Sequence, residues 1–103
     1  MAFADNLKEL PAIAHLRGLI LRNAQGEAVA TLENKPGQAG SVAVYHALAQ
    51  RFGRITPEAA REGLTLYAEH TEDARLNPGK HPNIDRLLAL PTGGLAVEAL
   101  AAV

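Results

Sequence analysis

The segment from Leu19 to Leu32 limits the fold more than any other part of the chain. Leu19-Ile20-Leu21 is a continuous apolar run, Asn23-Ala24-Gln25-Gly26 supplies turn chemistry, and Ala28-Val29-Ala30-Thr31-Leu32 then alternates. Short apolar runs on either side of a Gly-containing turn are the pattern of two antiparallel strands. We therefore expect a β-hairpin whose first strand lies between Ile13 and Arg22 and includes His15. A hairpin this short leaves edge strands that need cover.

The remainder of the chain supplies that cover mostly as helix. Phe3, Leu7 and Leu10 recur at helical spacing with Asp5 and Asn6 on another face, which predicts a short helix ending before Pro11. The stretch Asn34-Lys35-Pro36-Gly37-Gln38-Ala39-Gly40 reads as a loop, because Pro removes a donor and the glycines admit backbone angles closed to other residues. Ser41 is placed to N-cap a helix from Val42 to Phe52, with Val44, Tyr45, Leu48 and Phe52 on one side and Gly53 at its end. Thr56-Pro57-Glu58 opens the next helix: Thr caps orphan N–H groups, Pro tolerates the first position, and Glu complements the dipole. That helix is expected to reach Leu76, with Ala60, Leu64, Tyr67, Thr71 and Ala74 on one face and Gly63 marking either close approach of a neighbouring backbone or mere tolerance. Asn83 is placed to cap a further short helix with Ile84, Leu87 and Leu88 inward, closed by Pro91. After Gly93-Gly94 the tail reads equally as strand or helix.

The expected fold class is thus α+β: a β-hairpin, extended to three antiparallel strands if the tail is a strand, packed against three or four helices. Residues 1–103 are expected to form a single domain, since a chain of 103 residues is too short to divide. Tyr45, Leu48, Phe52, Leu64 and Tyr67 are the expected centre of its core.

Charge and composition narrow the partners. Ten Lys and Arg against eleven Asp and Glu leave a net charge of -1, which offers no field to draw the chain onto nucleic acid or an anionic membrane. Phe3, Tyr45, Phe52 and Tyr67 are too scattered to form a base-stacking surface. Cysteine is absent, so thiolate chemistry and cysteine-bound zinc are excluded. With neither a signal-peptide pattern nor a long apolar span, a cytoplasmic location is the expectation. The sequence requires no cofactor.

Three stretches together resemble a known family. They are Ser41-Val42-Ala43-Val44-Tyr45-His46-Ala47-Leu48-Ala49-Gln50-Arg51-Phe52-Gly53, Leu66-Tyr67-Ala68-Glu69-His70-Thr71-Glu72-Asp73-Ala74-Arg75, and Lys80-His81-Pro82-Asn83-Ile84-Asp85-Arg86-Leu87-Leu88. They are similar to a family of small bacterial proteins described as a domain of unknown function. The resemblance implies a bacterial cytoplasmic protein and brings no reaction, substrate or cofactor with it.

Two constellations carry candidate chemistry. In the loop feeding the second helix, Lys35, Gly37, Gly40 and Ser41 form a candidate anion site, since a helix start exposes N–H groups and glycines let a ligand approach the backbone. It is not a nucleotide loop, because the Lys precedes the glycines. Glu69, His70, Asp73 and His81 form a candidate metal set, with the first three on adjacent positions of one helix side and His81 returning after a short loop. His46 and His70, each near a tyrosine, are candidate general bases. Arg51 and Arg54 complement a helix C-terminus. No catalytic set is complete, so a non-catalytic binding or interaction module, forming a homodimer through its exposed edges, is favoured over a small enzyme or ligand-binding protein. Convergence of His46, His70, His81 and the 34–41 loop on one pocket would separate the two readings by raising the enzyme reading sharply.

Overall fold

A computed structural model describes residues 2–102. The chain is α+β, with five helices and a three-stranded antiparallel sheet in the order β2-β1-β3 among the described residues. The hairpin forms as its pattern requires. β1 (Leu16–Arg22) pairs with β2 (Ala28–Glu33), placing Leu19 opposite Leu32 and Leu21 opposite Ala30 on the inner face. Asn23 closes the turn, its Oδ1 accepting from the N–H groups of Gln25 and Glu27. His15 lies just before β1, a correction to its expected place within the strand.

The ambiguous tail is a strand. β3 (Ala96–Ala101) pairs antiparallel with the free edge of β1, so Leu19 faces Ala99 and Leu21 faces Val97. Ile55 and Leu95 exchange both backbone hydrogen bonds, 2.8 and 3.1 Å, which aims the tail at that edge. An unpaired strand edge is the stronger partner here than the weak helical bias of an Ala-rich tail.

The helices depart from expectation at their ends. α1 (Phe3–Lys8) stops before Pro11. α2 (Ala39–Phe52) starts ahead of the expected Val42, because the N–H groups of Gln38 and Ala39 already turn back onto the Lys35 carbonyl. Gln38, not Ser41, occupies the N-cap position, and its Oε1 accepts from the Glu33 N–H. Thr56 caps as expected, its Oγ1 accepting from Ala59 N–H.

The helix expected to run to Leu76 is broken in two. α3 (Pro57–Tyr67) and α4 (Glu69–Leu76) meet at Ala68, whose φ of 54° is left-handed. Carbonyls freed at the end of α3 find side-chain donors: Thr71 Oγ1 donates to Leu64 O at 2.6 Å and Asn6 Nδ2 donates to Leu66 O at 2.9 Å. α5 (Pro82–Leu88) begins on its proline, and Asn83 does not cap it: Asn83 Oδ1 instead accepts from Arg86. Ile84 and Leu87 point inward as expected, but Leu88 is 38% exposed.

Leu19, Leu21 and Leu32 of the sheet join Tyr45, Leu48, Tyr67 and Leu87 in one hydrophobic cluster. Phe52 and Leu64, expected at its centre, are only partly buried and pack at its margin. Gly63 has its reason in this packing: a Cβ there would come within 2.8 Å of Leu87 Cδ1 and 2.9 Å of Leu48 Cδ1. The close neighbours are thus side chains of α5 and α2, not backbone. Among the described residues no helix is long and apolar enough to cross a membrane.

Candidate functional site

The break at Ala68 sets up the site. It lets α4 begin beside α1, where the His70 ring meets Phe3 edge-on at 5.2 Å and lies 5.7 Å from the His81 ring. A cavity of about 410 Å3 opens there, with Gly37, Gly40 and Ser41 on one wall and His70, Lys80 and His81 on the other. The loop, His70 and His81 therefore converge. His46 is not among the cavity walls; its ring faces His15 at 5.6 Å.

On the α2 side, Gly40 lets α1 pack close: a Cβ would sit 3.2 Å from Phe3 Cζ and crowd that ring. The N–H groups of Ala39 and Val42 donate to Lys35 and Gln38, whereas those of Gly40 and Ser41 have no backbone acceptor among the described residues. Tyr67 donates to Ser41 Oγ at 2.7 Å, and burial pushes the Tyr67 phenol up, so it remains the donor. The Ser41 hydroxyl keeps its own proton to give elsewhere.

On the opposite side, Asp73 Oδ2 lies 2.6 Å from His81 Nε2 and 3.0 Å from Lys80 Nζ. The hydrogen bonds from His81 and Lys80 hold the Asp73 carboxyl down at about 2. An ionised carboxylate only accepts, so His81 Nε2 carries the proton in this pair. The pair pins the return loop that carries Lys80 and His81 against α4.

The candidate anion residues divide. Gly37, Gly40 and Ser41 line the cavity, while Lys35 lies outside its walls with Nζ 2.8 Å from Glu33 Oε2. Lys80 takes the place in the wall that sequence reasoning assigned to Lys35. Its signal was the Asn77-Pro78-Gly79 turn, which returns the chain toward α4 and carries Lys80 along with His81.

The candidate metal residues divide as well. Asp73 and His81 touch, His70 lines the cavity, and Glu69 Oε1 accepts from the Phe3 N–H at 2.8 Å, a bond that lowers its pKa. Among the described residues no group of three or more His, Cys, Asp or Glu is gathered to hold a metal ion. Asp73 spends its Oδ2 on Lys80 and His81, which leaves that oxygen little to offer a cation. Arg51 pairs with Glu62 at 3.1 Å, and Arg54 donates to the Gly93 carbonyl.

With this geometry in hand, comparison places the chain in a family. Residues 3–100 match the model of an uncharacterised protein family conserved in bacteria, DUF2322, and the chain belongs to it. Neither the curated proteins nor the solved structures offer a match.

Proposed function

We propose that the protein is a non-catalytic binding module that takes a small ligand by its phosphate or carboxylate group in the cavity at the start of α2. The observation that carries this reading is the convergence of two free N–H groups at a helix start, the Ser41 hydroxyl, Lys80 and two histidines on one open cavity. Helix starts favour anions through their orphan donors and the positive end of the dipole. Phe3, Leu7 and Ile84 line the same cavity and would meet the apolar part of the ligand. Among the described residues neither cavity histidine hydrogen-bonds to the Ser41 hydroxyl, whose partner is Tyr67, so no nucleophile is paired with a base and binding is the better supported activity.

Affinity for a bare anion should be weak. The Lys80 side chain is 61% exposed and already shares Asp73, so the ligand competes with a carboxylate and with dissolved salt. Titration of the full chain with inorganic phosphate and with citrate, followed through backbone amide resonances, should move Gly40, Ser41, Lys80 and His81 first and saturably. Lys80→Ala should weaken binding without lowering the melting temperature, and Lys35→Ala should leave it unchanged. Shifts scattered over the surface, or binding undiminished by Lys80→Ala, would defeat the reading.

A further inference from the structure

A second hollow lies on a face that shares no lining residue with the anion cavity. It is a groove of about 800 Å3 between α3 and the segment that follows α5. One wall is α3, with Pro57, Arg61 and Leu64 at helical spacing; the other is Leu88, Leu90 and Pro91. The groove lies where α5 ends at Leu88 and the chain leaves the helix. The chain returns through Gly93 and Gly94, at φ of 88° and 69°, to the bridge between Leu95 and Ile55. Leu88 is left as one of the exposed large hydrophobics.

The charged side chains that line this groove among the described residues are basic. Arg54 and Arg61 line the groove and no carboxylate does. The Arg54 guanidinium is held at one end by the Gly93 carbonyl, and Arg61 approaches Glu58 only to 3.9 Å with its side chain 70% exposed.

We propose that this groove docks an acidic amphipathic helix of a partner protein, its apolar residues on Leu64, Leu88 and Leu90 and its carboxylates toward Arg54 and Arg61. A groove between a helix and a following segment accepts one face of a helix, and the two guanidiniums select the sign of its flanks. A single acyl chain would lie with one side in water, whereas small-molecule sites enclose most of their ligand. A second copy of this chain offers the exposed Leu76 beside the single carboxylate of Glu72 on α4. Seating that face here would join unlike surfaces, which builds a ring or an open-ended chain instead of a two-fold dimer.

The test is selection on the full chain from a displayed library of amphipathic helices with a fixed apolar face and polar positions randomised among Glu, Lys and Gln. Selected helices should be enriched in Glu over Lys, and their amide shift footprint should cover Arg61, Leu64, Leu88 and Thr92. Arg61→Glu and Leu88→Glu should each weaken them about tenfold, a loss of about 1.4 kcal/mol, with the Arg61→Glu melting curve unchanged because that side chain is 70% exposed and Leu88→Glu assayed at temperatures where circular dichroism shows it folded. The proposal fails if no helix is selected, if Glu is not enriched, or if both variants bind undiminished. It also fails if dodecanoate fills the groove and displaces the helices, or if the chain self-associates in a way that Leu88→Glu abolishes.

Discussion

His46 lies buried on α2 with its Nε2 unpartnered among the described residues, beside the ring of His15. Burial, and then the neighbouring His15, hold its pKa below the ordinary histidine value. In the unfolded chain the ring titrates near about 6.5, so below that pH the unfolded state takes up a proton that the folded state refuses. Stability should therefore fall as the pH drops from about 7 through the depressed folded value, and level off below it. Replacing His46 with Phe removes both the proton and the unpaired nitrogen. Denaturant midpoints measured from about pH 8 to about pH 5 should show the wild-type decline flattened in His46→Phe. An equal decline in both proteins would assign the pH dependence to other groups.

Between elements, the break at Ala68 is the feature with the widest consequence, since it turns α4 toward α1 and brings His70 to the cavity. Thr71 secures it from within α4 by donating to the Leu64 carbonyl of α3. Thr71→Val keeps the shape and removes the donor, leaving a carbonyl at a part-buried position without its partner. That should cost about 1 to 3 kcal/mol. Urea unfolding measures it directly, and a midpoint unchanged by the substitution would mean that water satisfies Leu64 as well as Thr71 does. The effect should reach the site, because a loosened junction loosens the wall that carries His70. Phosphate shifts at Gly40 and Ser41 should then weaken in Thr71→Val even at temperatures where it remains folded.

For the molecule as a whole, acid should act through Asp73, the group that ties the return loop to α4. Its folded pKa of about 2 lies below the unfolded carboxylate value, so its contribution is complete above about 4 and is lost as the pH falls through about 2. Asp73→Asn should be less stable than the wild type at neutral pH, and the gap should close between about pH 4 and about pH 2. A gap independent of pH would mean that packing, not charge, is what the substitution removed.

The hairpin, the start of α3 at Thr56-Pro57, and the short α1 were legible in the sequence because their causes act over a few residues: alternation, turn chemistry, capping and a helix-stopping proline. The candidate loop was legible for the same reason, through Gly37 and Gly40. What only the tertiary structure decided depends on groups far apart in the chain. The tail became β3 because the edge of β1 was free; its own alternation left strand and helix equally open. One helical pattern became α3 and α4, with Asn6 and Thr71 taking the carbonyls that the break exposes. Lys35 gave way to Lys80 in the cavity wall because Glu33 holds the one at the surface, while the 77–79 turn carries the other back toward α4. Local pattern sets which segments can pair; the free energy of pairing distant donors, acceptors and apolar faces chooses among them, and that choice built the cavity.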